Sequence, residues 1–214
     1  MEVLILFVRY PEAGRVKTRL AKSVGPEEAR RLYQNLTEAN LKVIHPLARQ
    51  GVDLVIAFDP PEQEEAVKNW LRGPYHYLNQ GEGGLGERIT QGFERVFLGG
   101  AKKAIVLGSD TLDLRIEIVK QAYQALESSD LVLGPAKDGG YYLIGLRRPQ
   151  PRLFQNIPWS TPHVLASTQL RAEQLGLSYS LLEELEDLDE VENREGFRRW
   201  SQRNETDVTN RMGS

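Results

Sequence analysis

Asp110 is the first charged side chain after an apolar run, residues 104–107, whose length and β-branched content suit a buried parallel strand. The strand breaks at Gly108 and Ser109, which puts Asp110 at the carboxyl edge of a sheet, where ligands of open α/β folds bind. A carboxylate there suits a hard divalent cation, and the cation in turn neutralises substrate phosphates. Asp113, three residues on, reads as a turn or helix-cap residue.

A second acid stands in the segment GPAKDGGY, residues 134–141. Asp-Gly is a hairpin signal, so Asp138 reads equally as a turn residue and as a functional acid, with a new strand opening at Tyr141. The second glycine exceeds what a two-residue turn needs, and Gly139 with Gly140 would let a ligand approach the backbone closely. The run 185–191 reads ordinarily as a solvated helix start, but at a strand's end its Asp187 or Asp189 could be a second metal ligand.

Positive charge is concentrated just after the first strand. Arg15, Lys17 and Arg19 alternate within RYPEAGRVKTRLA, residues 9–21, and in an extended loop all three would point to one side. Three such cations would hold a di- or triphosphate. The spacing is not that of a Walker P-loop. Four glycines in residues 80–88 make either a backbone cradle or a lid, a signal that is weak by itself.

The elements that must position these groups follow from periodicity. Strands are expected at 3–8, 52–58, 75–78, 104–107, 131–133, from Tyr141, and at 178–182. A long helix opens at Pro26 with Ala29, Leu32, Tyr33, Leu36, Ile44 and Leu47 on its core face. Helices follow at 62–71, from Leu85 to Val96, at 116–126 and at 164–175, with a polar helix last. Tyr33 and His45 read as packing or surface residues. Trp159 could stack on a sugar or base but reads as a buried residue at an irregular junction, His163 has no partner that the sequence shows, and Asp59, before two prolines, reads as a turn residue.

Composition bounds the function. With 214 residues, no linker and no repeat, the chain reads as one domain over residues 1–200 and a polar tail, 201–214. A net charge of −3 argues against a general nucleic-acid binder, so a basic site must be local. Zero cysteines exclude a disulfide framework, a thiolate metal site and a cysteine nucleophile. The apolar N-terminus is short and lacks a basic n-region, no run is long enough to span a bilayer, and a cytoplasmic protein is expected.

Taken in order, FVRYPEAGRVKTRLA, GGLGERI, VLGSDTLDL, LVLGPAKDGGYYLIGL, WSTPHVL and LEDLDEVEN resemble a bacterial nucleotide-diphospho-sugar transferase-like family. Its members are often labelled arsenosugar-biosynthesis-type glycosyltransferases. The DGGYYLIGL block with the preceding GPA is the specific part; 2-phospholactate guanylyltransferases share the fold and carry a similar basic loop. The resemblance implies an α/β, three-layer, Rossmann-like GT-A fold: a mostly parallel sheet with helices on both faces. It implies a nucleoside diphosphate sugar donor with Mg2+ or Mn2+, and a small-molecule acceptor. On that resemblance Arg15, Lys17 and Arg19 would face the phosphates and Asp110 would hold the metal. Asp138, Gly139, Gly140 and Tyr141 would border the sugar or acceptor, and Asp187 and Asp189 would be the second acidic pair. The chain has Gly84 where the family usually has an acid, Leu112 where it has proline, and Glu190 where it has threonine.

Three activities therefore compete: a metal-dependent glycosyltransferase, with Asp138 as base on the acceptor hydroxyl; a nucleotidyltransferase joining an NTP to a small phosphorylated or acidic substrate; and a non-catalytic nucleotide-binding protein. The glycine-rich start of sugar nucleotidyltransferases is missing, which favours the first.

Overall fold

A computed structural model describes residues 1–188; Asp189, Glu190, the polar last helix and the 201–214 tail lie outside them. Among the described residues seven strands form one sheet: β1 (Glu2–Arg9), β2 (Val52–Asp59), β3 (His76–Asn79), β4 (Lys103–Gly108), β5 (Leu131–Pro135), β6 (Tyr141–Leu146) and β7 (Tyr179–Leu181). Their order is β3-β2-β1-β4-β6-β5-β7, and β6 alone runs antiparallel to its neighbours. The helices are α1 (Thr18–Val24), α2 (Pro26–Ile44), α3 (Glu64–Trp70), α4 (Leu85–Leu98), α5 (Ile116–Ala125) and α6 (Val164–Gln174).

Period-two alternation in the strands makes the layers. Leu4, Leu6 and Val8 of β1 point to one face and pack with Leu41 and Ile44 of α2 and Ile118 of α5. Val3 and Ile5 point to the other, among Ile89 and Phe93 of α4 and Ala172 of α6. The result is a three-layer, mostly parallel α/β sandwich, as the sequence predicts. From β1 the chain winds outward through β2 and β3, then crosses to β4 on the other side. The crevice between the carboxyl ends of β1 and β4 is therefore the topological switch point. Among the described residues no helix is long and apolar enough to cross a membrane.

Two local expectations are corrected. The basic loop is not extended: Val16 turns inward and is buried, Lys17 adopts a left-handed conformation (φ 48°), and Thr18 begins α1. Arg15 thus turns outward to Glu12 at 3.4 Å, while Arg19 sits in the first turn of α1. The acidic run after β7 does not open a helix as far as it is described. Leu185 and Asp187 instead make single β-bridges to Ala136 and Thr111, so the segment crosses the carboxyl edge of the sheet.

Candidate functional site

A cleft of about 840 Å³ lies over that edge. Its floor is the ends of β1 and β4, with Arg9, Ser109 and Asp110; α1 supplies Arg19, the hairpin between β5 and β6 supplies Asp138 and Gly140, and Asp187 closes one side. The start of α4 and the 159–162 loop form a wall.

Lys17 and Asp110 form an ion pair in this cleft: Nζ donates to Oδ2. The lysine side chain is 7% exposed, whereas the carboxylate keeps 32% of its surface open. Burial alone would raise the Asp110 pKa, but the charge and hydrogen bond of Lys17 more than offset it and hold it below the ordinary carboxylate range. Asp187 has the opposite balance. Burial first, then the negative charge of Asp110, push its pKa up to about 8, against the pull of Lys17.

The two acids sit on backbones that are stitched together. Leu112 N–H donates to the Glu186 carbonyl (2.7 Å) and Leu188 N–H to that of Asp110 (3.1 Å). Among the described residues no cluster of three or more potential metal ligands occurs. Mg2+ and its like are commonly held by one or two carboxylates plus substrate phosphates, so Asp110 with Asp187 fits such an ion. The like-charge repulsion that raises the Asp187 pKa is what a cation would relieve.

Asp138 is exposed at the hairpin tip, and its Oδ1 accepts from Gly140 N–H at 2.8 Å. The turn role and the cleft-facing role therefore coexist. Gly139 (φ +88°) does not open onto the cleft. A Cβ there would overlap the backbone of Pro162, and the Gly139 carbonyl accepts from Leu165 N–H at 2.9 Å. The close approach that this glycine permits is to the 159–162 wall. Tyr141 and Gly140 line the cleft; Arg15 and Gly139 do not. Asp113 takes a left-handed turn (φ 58°), and the cap position of α5 belongs to Arg115.

Several lining residues escaped the sequence reading. Arg88, in the first turns of α4, is held by Asp59 at 3.0 Å and by its own Nε bond to the Gly83 carbonyl. Arg9 reaches the same carboxylate at 3.3 Å, so Asp59 orients two cations. Gln80 ties three strand ends together, its amide donating to the Val8 and Ala57 carbonyls (3.0 Å each) and its N–H to that of Phe58. Trp159 lies half-buried on Gly86, edge-on to Tyr141. The 81–84 glycines are not a bare cradle: the Glu87 carboxylate folds back onto Gly84 N–H at 2.7 Å. The only advance signal for Arg88 was its place just after those glycines.

The fold and cleft can be set beside known proteins. The chain is similar, at 30% identity and a TM-score of 0.83, to a protein of Desulfovibrio desulfuricans G20 provisionally named a nucleotide-diphospho-sugar transferase; the match covers 93% of this chain and 97% of that one. A CMP:2-keto-3-deoxy-manno-octonic acid synthetase complexed with CTP has 18% identity and a TM-score of 0.57, over 95% and 99% of the two chains. The glucosyl-3-phosphoglycerate synthase of Mycobacterium tuberculosis, solved with Mn2+, UDP and glucosyl-3-phosphoglycerate, has 11% identity and a TM-score of 0.53, over 87% and 70%. At such identities the last two share the fold. No curated protein matches the chain. The model of one bacterial family, described as "Uncharacterized protein conserved in bacteria (DUF2064)", matches residues 43–161, more than half of the sequence, and the chain belongs to that family.

Proposed function

We propose that the protein is a metal-dependent glycosyltransferase that moves a sugar from a nucleoside diphosphate to a small-molecule hydroxyl. The observation that carries this reading is the meeting of Asp110, Asp187 and Lys17 in one cleft at the switch point, with Arg19 on the same lining. Likeness to a provisionally named nucleotide-diphospho-sugar transferase at 30% identity supports it.

Asp110 and Asp187 would hold Mg2+ or Mn2+, which when bound supplies positive charge to the departing diphosphate. Lys17 and Arg19 bind the same phosphates. Lys17 is a buried cation paired with Asp110, and an incoming phosphate would compete for its ammonium. Charge placed in advance at the leaving group favours the transition state, where negative charge on the diphosphate is largest. Asp138, oriented by Gly140 N–H, takes the proton of the acceptor hydroxyl as its oxygen bonds to the anomeric carbon and the nucleoside diphosphate leaves. The 159–162 wall and Tyr141 border the sugar and acceptor.

The test is release of nucleoside diphosphate from a panel of sugar nucleotides with Mn2+, by wild type and by Asp110→Asn. Wild-type turnover that the substitution abolishes, with the circular dichroism spectrum unchanged, supports the assignment. Equal turnover in both proteins would remove Asp110 from the chemistry. Release of pyrophosphate from an NTP instead would make the protein a nucleotidyltransferase.

A further inference from the structure

The buried face of α2 carries a polar stripe where an amphipathic helix ordinarily continues its apolar one. Tyr33, Thr37 and Asn40 lie at helical spacing among Ala29, Leu36 and Leu41, and all are buried. Asn40 is 2% exposed. An amide buried there without partners would be destabilising, so the position needs a reason.

The reason is the acidic turn. Asn40 Nδ2 donates to the carbonyl of Ser109 at 3.1 Å and to that of Thr111 at 2.9 Å. Two carbonyl acceptors demand an NH2 donor, which fixes the orientation of the amide. The carbonyl between them, that of Asp110, accepts from Leu188 N–H. Three successive peptide carbonyls are thereby assigned, two to α2 and one to the strap that carries Asp187. One turn of chain is pinned from both sides, and Asp110 is the side chain at its centre. Tyr33 adds a third tether: its hydroxyl accepts from Arg9 N–H at 2.8 Å and shares a hydrogen with Ser109 Oγ at 3.0 Å, spanning the crevice between the ends of β1 and β4.

We infer that Asn40, assisted by Tyr33, is the positioning residue that sets the Asp110 carboxylate for its cation. The inference rests on the metal–diphosphate reading of the cleft. With an apolar side chain at 40, the Ser109 and Thr111 carbonyls lose their buried donors and must turn toward water. That rotation carries Asp110 with it, because its Cβ direction is set by the peptide planes on either side. Gly108 shows how little slack exists: a Cβ there would stand 3.3 Å from Asp110 Oδ1.

The test is Mn2+ affinity in the presence of inorganic pyrophosphate, read from the electron paramagnetic resonance signal of free Mn2+ well below the melting temperature. Asn40→Leu should weaken binding by about tenfold or more, the usual scale for removing an outer support of a metal ligand. Asn40→Ala, in which water can enter beside the two carbonyls and preserve folding, should show the same loss, since water does not hold the turn. Tyr33→Phe should show a smaller loss in the same direction. Ile44→Ala, on the same helix but in the core away from the turn, should lower the melting temperature and leave the affinity within about twofold. Wild-type affinity in both Asn40 variants, or an equal loss in Ile44→Ala, would overturn the positioning role alone. Failure of the wild-type protein to bind Mn2+ with pyrophosphate would overturn the reading of the cleft and this inference together.

Discussion

The ammonium of Lys17 rests on the carboxylate of Asp110, joining the loop after β1 to the turn after β4 across 93 residues of sequence. The contact sits where the strand order reverses, and on the proposed reading it pairs the cation that would meet the phosphates with the acid that would meet the metal. Exchange of that partner for a diphosphate is the central feature of the account.

Lys17→Met should therefore weaken binding of a nucleoside diphosphate with Mn2+ by about tenfold to a hundredfold, the worth of a charge-assisted hydrogen bond. Arg15→Met, whose guanidinium faces Glu12 outside the cleft, should leave it within about twofold. Isothermal titration calorimetry on the two variants separates these roles. Equal losses would mean that the whole loop folds over the ligand.

Asp187 gives a pH dependence with a definite sign. Its pKa is raised to about 8 by burial and by Asp110, so the folded state keeps a proton that the unfolded chain gives up near pH 4. Stability from this group is intact below the unfolded value and falls as pH rises toward 8. Asp187→Asn cannot ionise, so its melting temperature should exceed that of the metal-free wild type by a margin that widens from pH 5 to pH 8. A margin constant across that range would contradict the shift.

Gly139→Ala must accommodate both a left-handed backbone and an overlap with the Pro162 backbone. Its cost should exceed about 2 kcal/mol by chemical denaturation, as for other overpacked and strained sites. Gly51→Ala has the same kind of backbone (φ +89°) with nothing within 4 Å, and should cost about 1 kcal/mol. Similar costs at the two positions would mean that the 159–162 wall yields freely.

Asp59 and Arg88 should behave as a unit. Ligand affinities of Asp59→Ala, Arg88→Ala and the double variant should show a coupling of about 1 kcal/mol or more, because the aspartate acts by holding the guanidinium at the cleft. Additive losses would separate them.

Much of this was legible in the sequence because it is local. The continuous apolar run of β1, the apolar run before Gly108 and the turn-forming Asp138-Gly139 announce their own conformations, and together they predict the layers and the edge that carries Asp110. The convergence of Lys17, Asp138 and Asp187 followed from the shared edge and from family resemblance. What stayed hidden depends on partners distant in sequence. Nothing near Arg88 reveals Asp59, and nothing near Asn40 reveals the carbonyls of Ser109 and Thr111; the one trace was a polar residue on an apolar helix face. Gly139 looked like an opening for a ligand because the chain that fills it, at Pro162, lies 23 residues away. The alternation of Arg15, Lys17 and Arg19 suggested an extended loop, and was overridden when buried Val16 and the start of α1 turned the three cations in different directions.

The most direct measurement is thermal shift of the wild type and Asp110→Asn against NTPs, nucleoside diphosphates and common sugar nucleotides, each with and without Mn2+. The account predicts a manganese-dependent rise in the wild type with one nucleoside diphosphate and its sugar conjugates, lost in Asp110→Asn. A rise with NTPs alone, or one that survives the loss of Asp110, would contradict it.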